Sequence, residues 1–247
     1  MRNAAASLLA LTCIATLTGC GGDDTDNPVF RAPTPAPSPT PTSAAVTFDF
    51  DFGATGGEWT RDIAEFGDRS RVDFQSRVED LPADLIGERG LLLAGTNVTD
   101  DLAMYAWREV ENLEPGRAYR VDVTLTIASR VPPGCAGVGG SPGEGVYIKA
   151  GAADEQPRAG PVLNVNKANQ SQSGTQAVVI GDLAVPSAGG CTDDIYAAET
   201  IATTEETAPV VRATNLGELF LIVLSDSGFE SRSEWCLLEG SFTLTPQ

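Results

Sequence analysis

A chain of 247 residues with 34 acidic and 16 basic side chains carries a formal net charge of −18, so it lacks the basic footprint that nucleic-acid binding or peripheral attachment to an anionic bilayer requires. Histidine is absent, which removes the usual general base of serine and cysteine hydrolases and the commonest zinc ligand. Aromatic residues make up only 6% of the chain, few for a surface devoted to stacking on sugars.

In chain order, Arg2 and the apolar run AAASLLALTCIATLT (4–18) read as a signal peptide. The run is shorter than the roughly 20 apolar residues of a spanning helix. It ends in Leu17-Thr18-Gly19-Cys20, which resembles the lipobox of bacterial lipoproteins. That resemblance implies removal of residues 1–19, acylation of Cys20 and a lipid bilayer as partner. Several acyl chains, each burying about 0.8 kcal/mol per CH₂, anchor stably. Gly21, where inner-membrane lipoproteins carry Asp, implies the outer membrane if the host is Gram-negative. Residues 20–45 turn acidic and then rich in Pro, Thr and Ser with no apolar periodicity, the composition of an extended tether. The folded domain is expected over 46–247.

From residue 46 the dominant period is two. VTFDFDF (46–52) puts Val46, Phe48, Phe50 and Phe52 on one face and Thr47, Asp49 and Asp51 on the other. AYRVDVTLTIA (118–128) alternates in the same way. Shorter strands are expected over 59–66, 72–78, 91–94, 103–110, 146–150, 162–166, 177–180, 210–214, 218–225, 235–238 and 241–244, with one helical turn within 80–90. Clusters of Gly, Pro, Asn and Asp separate most of them. Neither a repeat of 20–50 residues nor a βαβ unit is visible. The expected fold is all-β, an antiparallel two-sheet β-sandwich of the jelly-roll kind.

The segment LEPGRAYRV (113–121) resembles the turn and strand of carbohydrate-binding-module-like jelly rolls, and FDF followed by GGEW around Trp59 fits the same pattern. The block from 90 to 152 resembles uncharacterised bacterial lipoproteins. These resemblances imply a non-catalytic, glycan-binding sandwich. They also imply a structural calcium between the first and last strands, for which the matching residues are Asp49, Asp51 and Glu239.

Three cysteines follow Cys20. Cys135 and Cys191 sit in Gly-rich loops that can adjust to bridging geometry, so the expected disulfide is Cys135–Cys191. Cys236 lies in the strand-like EWCLLEG and reads as a small buried apolar residue.

GVGGSPGEG (137–145) contains the G-x-S-x-G of a nucleophile elbow. The elbow needs an oxyanion-hole N–H from the residue after Ser, and here that residue is Pro142, which has none. Ser141 is therefore read as part of a structural loop. Asp100-Asp101, Asp193-Asp194 and Glu205-Glu206 read as solvated surface, although convergent carboxylates in a pocket would reopen a hydrolase. For stacking on a sugar the leading candidates are Trp59, Tyr105 and Trp107. Alternation puts Tyr105 and Trp107 on one face of their strand and Met104 and Ala106 on the other, and one of those faces must be core. The sequence thus points to a membrane-anchored, extracytoplasmic module that binds a glycan without catalysis. A structural or protein-interaction lipoprotein of the envelope is the alternative, and a carboxylate-dependent hydrolase stands third.

Overall fold

The alternation of β1 (Val46–Asp51) is realised as a strand that buries Phe50, and Phe52 just beyond it, while Thr47, Asp49 and Asp51 stay exposed. The computed structural model describes residues 44–54, 58–81 and 88–247. The expectations for Cys20 and for nearly all of the tether lie outside these residues, as does most of the helical turn expected within 80–90.

Eleven further strands follow: β2 (Thr60–Ala64), β3 (Gln75–Asp80), β4 (Arg89–Thr96), β5 (Leu102–Val110), β6 (Ala118–Ser129), β7 (Val146–Ala153), β8 (Ala177–Asp182), β9 (Ala197–Ala202), β10 (Val210–Arg212), β11 (Leu219–Ser227) and β12 (Arg232–Pro246). They form two antiparallel sheets. The first runs β3-β4-β12-β6-β10, with β1 also pairing β12 and β9 also pairing β6. The second runs β2-β5-β11-β7-β8. The chain changes sheet repeatedly, so β5 lies in the sheet opposite its sequence neighbours β4 and β6. This is the expected two-sheet sandwich.

Between the sheets lie Phe52, Trp59, Leu91, Tyr119, Trp235 and Phe242, all 4% exposed or less. Two outer faces are also partly covered. Residues 154–176 lay Leu163 and Val165 over Tyr105, Ile222 and Leu224 of the second sheet. Tyr196 and Leu81 cover Leu92, Cys236 and Leu238 of the first.

Three strand expectations change. The segments 235–238 and 241–244 are one strand, β12, which pairs β4 with its first half and β1 with its second. Gly240 does not interrupt it: a Cβ there would lie 2.6 Å from the Thr124 carbonyl oxygen and 2.8 Å from the Phe50 ring, so glycine permits the close packing. The 162–166 segment is not a strand; Leu163 and Val165 point down onto a sheet face rather than pairing at an edge, and Val162 is exposed. Strand β9 (AAETIA) was not anticipated, because its alternation is carried by alanines and a single isoleucine.

Cys135 and Cys191 are bonded, with Cα atoms 5.6 Å apart, and Cys236 is free and buried. Burial, then the charges of Glu79 and Glu234, push the Cys236 thiol up to about 12, so it behaves as an apolar filler. The disulfide closes a sequence separation of 56 residues. Chain entropy alone would give such a closure about 4 kcal/mol, and measured values commonly fall below that figure. Changing both cysteines to serine is expected to cost about 2–3 kcal/mol, read as a lowered urea midpoint. An unchanged midpoint would contradict this.

Candidate functional site

Strand β5 decides between the two faces that alternation leaves open. Leu102, Met104 and Ala106 point into the main core, while Ala103, Tyr105 and Trp107 point outward from the second sheet. The environments of Tyr105 and Trp107 then differ. Tyr105 is fully buried under residues 154–176, and burial, followed by the charge of Asp62, raises its phenol above the usual range. Trp107 lies where that cover ends. It is half-buried and meets Phe220 edge to face, with centroids 5.6 Å apart at 74°. Thr60 stands directly opposite it on β2. With Glu58, Arg108 and Glu109 these residues line an open cavity of about 450 Å³. An aromatic ring flanked by a hydroxyl and two carboxylates combines an apolar face with acceptors for ligand hydroxyl groups.

Trp59 does not join this surface. It is 4% exposed and packs 4.9 Å from Phe50 and 6.3 Å from Phe242, centroid to centroid. The expectation that it stacks on a ligand is therefore corrected: its ring belongs to the core, next to the first strand whose phenylalanines it meets.

Asp49, Asp51 and Glu239 do share a groove, on the open part of the first sheet. It holds about 580 Å³ and is also lined by Thr124, Thr126, Thr200 and Ser241. Asp51 faces Glu239 and Asp49 faces Ser241 across β1 and β12. Their fit to calcium is poor. Asp51 Oδ1 already accepts from the backbone N–H groups of Gly53 (2.7 Å) and Ala54 (3.3 Å). Nor do the three carboxylates come within mutual ligand distance. Among the described residues the acid group that does is Glu65, Asp101 and Asp226, with oxygens within 4.8 Å of one another.

That group belongs to a buried network which the sequence reading missed. Asp226 Oδ2 accepts from Lys149 Nζ (2.7 Å), Lys167 Nζ (2.8 Å) and the Gln170 N–H (2.9 Å). Lys149 Nζ also donates to the Lys167 carbonyl at 2.8 Å, and Lys167 Nζ lies 2.7 Å from Glu65 Oε2. Burial weighs most on both lysines. It holds Lys149 below its ordinary pKa, whereas the charges of Asp226 and Glu65 keep Lys167 above. The five residues come from separate segments. The available signal was a charge inside an otherwise apolar strand: Lys149 in VYIKAGAA and Asp226 in LFLIVLSDS.

Ser141 is placed as expected. Its Oγ donates to Glu144 and accepts from the Gly143 and Glu144 N–H groups at 3.2 and 3.3 Å. Glu144 in turn accepts from the Gly134 N–H at 2.6 Å. Ser141 staples the loop beside Cys135.

No protein-family model matches the chain, and no curated protein does. Among solved structures it is similar to the C-terminal family 22 carbohydrate-binding module of Clostridium thermocellum Xyn10B (15% identity, TM-score 0.36, 80% of this chain and 93% of that one). It is also similar to Caldicellulosiruptor saccharolyticus CBM27-1 in complex with mannohexaose (10%, TM-score 0.35, 79% and 96%). A third is the enzymatically active domain of bacteriophage CBA120 tailspike protein 4 (13%, TM-score 0.36), where the match takes in 76% of this chain and 19% of that one. Likeness at this level concerns the arrangement of sheets and carries nothing about ligands.

Proposed function

We propose that this chain is a lipid-anchored, extracytoplasmic β-sandwich that binds a glycan at the Trp107 surface without catalysing its cleavage. The observation that carries the reading is Trp107 itself. Of the three aromatic candidates it alone keeps its ring partly open, and Glu58, Thr60 and Glu109 surround it. A pyranose face stacks on the indole, and its hydroxyl groups donate to the carboxylates. The Cys135–Cys191 disulfide suits an oxidising compartment. Acylated Cys20 and the Pro/Thr-rich segment, left after removal of the signal peptide, would hold the sandwich away from a membrane surface. The non-catalytic part rests on the chemistry of the acids. The convergent carboxylates Glu65, Asp101 and Asp226 face two lysines and line neither of the two cavities described above.

A glycan array probed with the soluble domain tests this. The wild-type domain is expected to bind a subset of saccharides, and Trp107→Ala to lose at least about tenfold in affinity, roughly the 1.4 kcal/mol of one good contact. An array without signal, or a Trp107→Ala domain that binds as the wild type does, would overturn the reading.

A further inference from the structure

Strands β7 and β11 lie side by side in the interior of the second sheet. Lys149 stands opposite Leu224, two residues from Asp226, so the two charged side chains share the outer face of that sheet. Both are fully enclosed. Lys149 Nζ reaches Asp226 Oδ2 at 2.7 Å, and Cγ lies one bond beyond that contact. An amine and a carboxyl carbon held this close gain the effective concentration of an intramolecular reaction.

The surroundings favour Lys149 as a neutral amine. Among the described residues its Nζ has, besides Asp226, only the backbone carbonyls of residues 167 and 168 as acceptors, and burial holds its pKa low. A desolvated lysine of this kind is a nucleophile. Lys167 differs: it meets Glu65 as well as Asp226, and their charges keep it an ammonium. Lys167 Nζ at 2.8 Å and the Gln170 N–H at 2.9 Å both donate to Oδ2, which is the arrangement that stabilises a developing oxyanion. The other oxygen, Oδ1, is buried without a donor. Asp101 is the neighbouring acid, with an oxygen within 4.8 Å of one on Asp226. Burial, then the charge of Glu65, raise its carboxyl to about 7, so it holds a proton at and below neutral pH.

We propose that Lys149 and Asp226 condense to an intramolecular amide, with Asp101 as the proton carrier. The Nζ–Cγ bond forms and the Cγ–Oδ1 bond breaks. Of the three ammonium protons, one stays on the amide nitrogen and two leave with Oδ1 as water. Asp101 passes those two on in turn, giving Oδ1 its own proton first and recovering one from the nitrogen last, so it ends unchanged. Oδ2 becomes the amide oxygen, still held by Lys167 and Gln170. The step consumes no oxidant, reductant or co-substrate. It removes two buried charges and an unpaired buried oxygen, each of which carries a desolvation cost. Glu65 and Lys167 remain as a matched pair. The bond ties two interior strands together across 77 residues of sequence.

Peptide mapping of the full chain, purified in detergent, tests the bond directly. After denaturation, reduction and trypsin, a free Lys149 is cut and an amidated one is not. The wild type is expected to yield segments 131–158 and 213–232 joined, at their summed mass less one water. Lys149→Arg keeps a positive charge and is expected to leave 213–232 free. Asp101→Asn is expected to lower the joined fraction by about tenfold or more, with an unchanged near-ultraviolet dichroism spectrum reporting the fold. Neither Asp226→Ala nor Lys149→Met can form the bond, so their relative stabilities, counted from the unlinked chain, measure the ionic pairing alone. Separate peptides from the wild type after incubation at pH 7, a bond at Lys167 instead, or an Asp101→Asn chain joined as fully as the wild type would each overturn the proposal.

Discussion

Replacing Asp226 with alanine is expected to destabilise the domain by about 3–5 kcal/mol, the cost of leaving buried charge uncompensated. Asp226 is the shared acceptor of Lys149 and Lys167, and both lysines are 3% exposed or less. Its removal takes a carboxylate from two ammonium groups at once: Lys167 keeps Glu65, whereas Lys149 retains only backbone carbonyls of residues 167 and 168 among its hydrogen-bond acceptors. Lys149→Met is the informative contrast. It removes one charge, fills much of the same volume and leaves Asp226 paired with Lys167. Its expected cost is less than half that of Asp226→Ala, because exchanging a buried charge for a well-packed apolar group is often close to neutral. Urea unfolding of the two variants measures the difference. Similar midpoints would mean that Asp226 is not the hub of the network.

Trp59→Ala is expected to cost a further large amount, about 3–5 kcal/mol, as for other buried aromatic truncations. The indole is 4% exposed and packs against Phe50, Phe52 and Phe242. The cavity left behind would lie in the core between the sheets, over the inward rings of Phe50 on β1 and Phe242 on β12, whose backbones are held by the β1–β12 pairing. Saccharide binding per folded molecule is expected to be unchanged. Trp107→Ala is the mirror image, with a small loss of stability and a large loss of binding. A Trp59→Ala domain that keeps its unfolding midpoint but loses its ligand would reverse the assignment of the two tryptophans.

Much of the sandwich was legible because alternation reports directly which face is buried. The pattern at 118–128 matches β6, and that at 46–52 matches β1, nearly residue for residue. Gly-rich flanks were enough to pair Cys135 with Cys191. Legibility failed where packing outside the main core decided the outcome. Leu163 and Val165 look like strand residues, but they cap an outer sheet face. For the aromatic candidates, alternation put Tyr105 and Trp107 on one face, yet only the fold could show that residues 154–176 cover one and leave the other open. The acids show the same limit. Asp49, Asp51 and Glu239 come together as neighbours in the sheet but not as a ligand set. Glu65, Asp101 and Asp226 are brought together across 161 residues of sequence, and no local pattern announces such a meeting.

The claim that Trp107 carries ligand binding can be tested in one spectrum. The chain has three tryptophans, and two of them, Trp59 and Trp235, are buried. A nitrogen-15-labelled sample thus gives three indole signals, each assignable by its own substitution. Titration with a saccharide selected on the array is expected to move the Trp107 indole signal progressively to saturation and to leave those of Trp59 and Trp235 in place. Saturable binding during which the Trp107 signal stays still would contradict the account.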